Sequence, residues 1–187
     1  AALTLLSLTK YHELAIIETG ISMPGEMDLM KQMIEPSHVI LSNIGEEHIE
    51  NFNSIDELRT EKEKILKGTI HTYFKNNEFN FKRNIVEKGQ EIKCEYNNKK
   101  EVFFIQQKDE NSAKNFICCL GFLNQIKYDL KDIKTLSPHL PEIALRFEKK
   151  SGISNSIIIN DSYQNSFQSL KISLETLKSE CGTSSTI

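Results

Sequence analysis

Short continuous apolar runs alternate with stretches whose apolar residues recur at helical spacing, the signature of an α/β chain. Leu14, Ala15, Ile16 and Ile17 run up to Glu18, as expected for a central parallel strand buried on both faces. "GISMPGEM" (20–27) supplies two glycines and a proline, hence a loop. Met27, Met30 and Ile34 then fall at i, i+3 and i+7 and predict a helix over 26–34, which Pro36 ends. "HVILSN" at 38–43 supplies the next strand. Strand, helix and strand in this order form a βαβ unit with a right-handed crossover.

The helix from Ser54 to Gly68 is the clearest in the chain. Ser54 with Glu57 reads as a capping box and Gly68 as the stop. Between 71 and 107 the periodicity weakens. "EIKCEY" (91–96) and "EVFFI" (101–105), separated by an Asn/Lys-rich turn, suggest a hairpin. Helices follow over 111–126 and 130–136. "LSPHLPE" (136–142) carries two of the four prolines and is the candidate linker, dividing the chain into 1–140 and 141–187. Beyond it, "LRFEKK" and "SIIINDSY" read as two strands around Gly152, and 166–179 as a helix.

Composition narrows the function classes. A formal charge of -3 argues against a dedicated nucleic-acid binder. Cys94, Cys118, Cys119 and Cys181 lack metal-type spacing, which suits a reduced, cytoplasmic setting with unpaired thiols. No apolar run approaches the roughly 18 residues of a membrane span. The opening "AALTLLSLTK" lacks a basic leader region and resembles the inside of a folded domain.

Six residues are candidates for chemistry. Glu18, at a strand end, is either a solvated terminus or a carboxylate placed for Mg²⁺. His48 sits among Glu46, Glu47 and Glu50, and is either a charged surface histidine or a neutral ligand. Lys62 falls within the apolar stripe of Ile55, Leu58, Ile65 and Leu66, with Lys64 expected on the opposite face. Such an inward lysine either snorkels to water or is functional with a lowered pKa. Asn115, at the start of a helical stripe, caps a backbone group or reads a base edge. Arg146 and Asp161 are ordinary surface charges or site residues, and Asp161 repeats the strand-end geometry of Glu18.

"AIIETG", "SNIGEEHIENF", "RTEKEKI", "NSAKNFICCLGFL", "LRFEKKSG" and "IINDSYQNSFQSLKISLETL" resemble, in order and spacing, the Mur ligases. These are ATP-dependent amide-forming enzymes of peptidoglycan precursor synthesis. Within the family the likeness is greatest to members that join D-alanyl-D-alanine to UDP-N-acetylmuramoyl-tripeptide, and "GISMPGEM" and "NDSYQNSFQSL" resemble the form fused to an alanine racemase.

The resemblance implies a mostly parallel α/β central ATPase domain (1–140) and the first part of a Rossmann-like C-terminal domain (141–187). It implies Glu18 and His48 as Mg²⁺ ligands, and Lys62 as a lysine carbamylated to become a further metal-bridging anion. Asn115 would contact adenine, Arg146 the terminal phosphate and Asp161 the ribose side of ATP. The departures are Ser112 where a second asparagine is usual, Gln164 where "DSYN" would give Asn, and no G-x-x-x-x-G-K-[ST]. The chain is therefore expected to begin downstream of that loop, and alone to be inactive. Other Mur or folylpolyglutamate-type ligases, or a non-catalytic remnant, are the alternatives.

Overall fold

The structure is a computed structural model that describes residues 1–42, 44–67, 73–75, 80–141, 143, 148–163 and 167–181. It divides into two compact units, Ala1–Lys75 and Asn76–Ile187. Gly68, expected to stop a helix, together with Arg146 and Gln164, lies outside the described residues.

In the first unit, α1 (Ala2–Leu6) precedes an irregular stretch that includes 14–18. The strand expected there is not formed. A strand buried on both faces needs neighbours, and Leu14 and Ile16 are 69% and 85% exposed. Next come α2 (Glu26–Ile34), β1 (Val39–Leu41), α3 (Ile55–Glu63) and β2 (Tyr73–Lys75). β1 and β2 pair in parallel, Val39 opposite Tyr73. Ile21, Met27, Val39, Phe52, Leu58 and Ile65 form the core.

α2 begins after Gly25, whose φ of 89° suits only glycine well, and ends at Glu35 ahead of Pro36. The Ser54 cap is formed, with Glu57 N–H donating to Ser54 Oγ at 3.1 Å. The return arm of the capping box reaches one residue further back: Glu57 Oε2 accepts from Asn53 N–H at 2.6 Å. After Glu63 the helix tightens into a 3-10 turn, Lys64–Leu66.

The second unit is a sheet covered by helices. β3 (Lys82–Val86), β4 (Gly89–Tyr96) and β5 (Lys99–Ile105) form an antiparallel meander. The expected hairpin is β4–β5, turned by Asn97 and Asn98 at φ 51° and 60°, the left-handed pair that a tight two-residue turn requires. Ile92, Cys94, Tyr96, Phe103 and Ile105 face Ala113, Ile117 and Leu120 of α4 (Glu110–Gln125) and Ile133 of α5 (Leu130–Leu136). β3 escaped the sequence reading because Lys82 to Ile85 are all exposed and leave no alternation to detect. β6 (Glu148–Ser151), β7 (Ile157–Asn160) and α6 (Phe167–Cys181) complete the chain in the expected order.

Cys94, Cys118 and Cys119 remain thiols, and burial pushes the Cys94 thiol up to about 11. Among the described residues no helix is long and apolar enough to cross a membrane.

Gly89 is a point of close backbone approach: a Cβ there would lie 2.2 Å from the Ile105 carbonyl oxygen. Gly89→Ala should therefore destabilise the protein by about 1–3 kcal/mol through overpacking. Gly45→Ala, whose Cβ meets only a side-chain atom at 3.8 Å, serves as the comparison in denaturant melts. Equal midpoints for the two variants would contradict the close approach.

Candidate nucleotide-binding site

The first unit holds Glu18, His48 and Lys62. Glu18 is exposed on the irregular stretch. His48 takes a left-handed conformation (φ 61°) ahead of the 3-10 turn Ile49–Asn51, with Nδ1 3.9 Å from Glu50 Oε1. Lys62 is half-buried on α3. No hydrogen bond or ion pair joins any two of the three, and among the described residues no group of three or more His, Cys, Asp or Glu side chains is arranged to hold a metal.

What the structure does bring together are the segments that carry them. Past Glu18, the loop 20–25 is held from three sides. Glu26 Oε2 accepts from Ser22 and Met23 N–H at 2.6 and 3.0 Å. Asn51 Nδ2, in the turn after His48, donates to Ser22 O at 2.9 Å. Glu61 Oε1, next to Lys62 on α3, accepts from Gly25 N–H at 2.7 Å.

Glu61 was missed by sequence. It is 5% exposed and lies between Leu58 and Ile65 on the inward face, in the place expected for Lys62. Lys64 is not on the opposite face either: its Nζ lies 2.6 Å from Glu61 Oε2 and 3.0 Å from Asp28 Oδ2. The pairing follows from spacing, since residues three apart are neighbours on a helix face and eclipse in the 3-10 turn that Lys64 opens. The signal available was Glu61 at i+3 from Leu58, but a carboxylate there is discounted until a cation one turn on is counted as its partner.

The second unit contains a cavity of about 780 Å³ lined by the start of α4 (Asn111, Ser112, Asn115, Phe116), by Ser137 and Leu140 after α5, and by Asp161 after β7. Asn115 and Asp161, assigned separately to nucleotide contacts, thus share one wall system. Asp109 caps α4 by accepting from Ser112 N–H at 2.8 Å. Asp161 Oδ2 accepts a hydrogen bond from Ser173 Oγ of α6, which ties the residue after β7 to that helix.

Two glutamines frame the cavity. Gln90 Nε2, fully buried in β4, donates to the carbonyls of Gln107 and Asp109 at 2.7 and 3.0 Å. Gln107 Nε2 donates in turn to Leu140 and Pro141 O, both at 3.2 Å. The sheet end, the α4 start and the proline-bearing segment are thereby connected through two side-chain amides. At the mouth of α4, Lys114 and Arg83 flank Glu110 at 2.7 and 3.7 Å, and the Lys114 hydrogen bond holds its carboxyl below the usual range.

Residues 1–131 match the Mur ligase middle domain. The chain belongs to this family. A UDP-N-acetylmuramoyl-tripeptide–D-alanyl-D-alanine ligase of Rickettsia prowazekii is 29% identical over 210 aligned positions, covering 94% of this chain and 46% of that protein. MurF from Acinetobacter baumannii shares the fold with a TM-score of 0.79 at 16% identity, over 92% of this chain and 44% of that one. The MurF ligase of Thermotoga maritima, solved in complex with ADP, gives a TM-score of 0.65 at 16% identity, over 83% of this chain and 42% of that one. The chain spans less than half the length of these Mur relatives.

Charge at the loop 20–25 of this Mur family chain can be tested by pH. Backbone hydrogen bonds from Ser22 and then Met23, with a smaller contribution from His48, lower the Glu26 pKa. A carboxylate lowered on folding stabilises above its unfolded pKa, and that stabilisation is lost as pH falls through the folded value. In an NMR titration the Ser22 and Met23 amide shifts should move together with a midpoint below the ordinary glutamate value of about 4.3. Glu26→Gln should flatten both curves; a midpoint above that value would contradict the hydrogen bonds.

Proposed function

We propose that this chain is the ATP-handling portion of an amide-forming ligase that adds D-alanyl-D-alanine to UDP-N-acetylmuramoyl-tripeptide in cytoplasmic peptidoglycan precursor synthesis. The observation that carries the reading is a family likeness extending over almost the whole chain, joined to a cavity shared by Asn115 and Asp161. In the Mur scheme the substrate carboxylate attacks the γ-phosphorus of ATP and ADP leaves. The amine of the dipeptide then attacks the acyl phosphate carbon, phosphate departs, and the amine loses a proton to leave the amide.

Each candidate residue takes a part in this reading. Asn115 and the apolar wall behind it receive the adenine, and Asp161, bonded to Ser173, meets the ribose side. Arg146 serves the terminal phosphate. Residues 1–140 form the ATPase part and 141–187 the start of the C-terminal domain.

The donor chemistry on the first unit suits a hard divalent cation once Lys62 carries a carbamate. Among the described residues no hydrogen bond or ion pair engages the side chain of Glu18 or Lys62, which leaves the carboxylate oxygens and the side-chain nitrogen for other partners. Glu18, His48 and carbamylated Lys62 would hold Mg²⁺, which supplies neutralisation of phosphate charge when bound.

Two measurements test the reading. The full open reading frame containing this chain, given ATP, Mg²⁺ and UDP-N-acetylmuramoyl-tripeptide, should release phosphate only after D-alanyl-D-alanine is added. Release with another amine acceptor and not with this dipeptide would reject the substrate assignment.

The second measurement concerns Lys62. In ¹³C-bicarbonate at mildly alkaline pH, NMR should detect one carbamate resonance that Lys62→Arg abolishes. A resonance that survives this substitution would remove Lys62 from the metal set.

A further inference from the structure

Ser137 opens the 3-10 turn Ser137–His139 after α5 and is 3% exposed. Its main chain is fully used: the N–H donates to Ile133 O, and the carbonyl accepts from Leu140 N–H at 3.5 Å. Its hydroxyl oxygen, by contrast, is buried with no hydrogen-bond partner. Among the described residues only Gln90 Oε1 shares that state, and the Gln90 amide nitrogen already holds two carbonyls. A buried hydroxyl left unbonded is costly, and sites that tolerate one commonly supply its partner from outside the chain.

The outside partner has a place to sit. Ser137 lines the same cavity as Asn115, and Ile133, Leu136, Leu140 and Phe116 line it too. Those apolar side chains, beside the polar groups that Asn111, Ser112 and Asn115 bring from α4, suit a flat heteroaromatic ring that carries a few hydrogen-bonding atoms on its edge. A serine hydroxyl is re-aimed by rotation about a single bond, so the group can turn to a ligand without moving the backbone.

We propose that Ser137 is a base-recognition residue, its hydroxyl held unbonded in the empty protein and taken up by the polar edge of a purine base. This rests on the nucleotide reading of the cavity. It adds a contact that sequence did not suggest, from the turn after α5 rather than from α4. The arrangement trades stability for binding, a pattern familiar at functional sites.

That trade gives the test two readouts of opposite sign. Thermal melts and isothermal titration with adenosine would compare the unaltered chain, Ser137→Ala and Asn115→Ala. Removing an unbonded buried hydroxyl should raise the melting temperature of the empty protein by about 2–4 °C. The same substitution should weaken adenosine by about tenfold, the loss of one hydrogen bond.

A lowered melting temperature in Ser137→Ala would mean that the hydroxyl is bonded within the protein, and overturns the proposal. Unchanged adenosine affinity in Ser137→Ala overturns it as well. If Asn115→Ala then weakens binding, the nucleotide reading survives alone. No saturable adenosine binding by the unaltered chain would reject the nucleotide reading and this contact with it.

Discussion

The first unit depends on one buried carboxylate. Glu61 reaches Gly25 N–H with one oxygen and Lys64 Nζ with the other, while its backbone belongs to the helix that carries Lys62. A buried carboxylate is tolerable only when both oxygens are occupied, and here a backbone donor and an ammonium divide the task. The consequence is geometric: the loop after Glu18, the start of α2 and α3 are held to one another through a single side chain. Asn51, bonding Ser22 O from the turn after His48, adds the third segment. Residues far apart in sequence are thus anchored to a common loop, although no hydrogen bond or ion pair joins the three candidate side chains to one another.

The second unit solves a similar problem with neutral groups. Its cavity lies where a sheet end, a helix start and a proline-bearing segment meet, and each brings backbone carbonyls that need donors. Gln90 and Gln107 supply them in series. Amides suit this role because they carry no charge to be desolvated against the apolar core of Ile92, Phe103 and Ile117. Asn115 and Asp161 are among the polar side chains distributed across the wall of a mostly apolar hollow.

Much of the architecture could be read from periodicity. α2, the Ser54 cap, the β4–β5 hairpin and the helix pair α4 and α5 all follow from patterns that local physics enforces. The failures share a cause, which is dependence on a partner distant in sequence. The 14–18 run has the composition of a buried strand but no paired neighbour among the described residues. β3 is the reverse case, a strand by pairing with β4 and without an apolar face. Lys62 is only half-buried while Glu61 takes the inward place expected for it, and the i, i+3 spacing puts Lys64 on Glu61 rather than on the opposite face. The candidate nucleotide residues were legible one at a time; that Asn115 and Asp161 border one hollow required the fold.

The pairing of Lys64 has a chemical consequence for its own nitrogen. Hydrogen bonds to Glu61 and then Asp28 raise the Lys64 pKa and keep its nitrogen as an ammonium, with no lone pair to offer. An electrophile such as dissolved CO₂ reacts only with a free amine. Salt links therefore silence Lys64 as a nucleophile and leave it as a fixed positive charge at the end of α3, shared between Glu61 and Asp28.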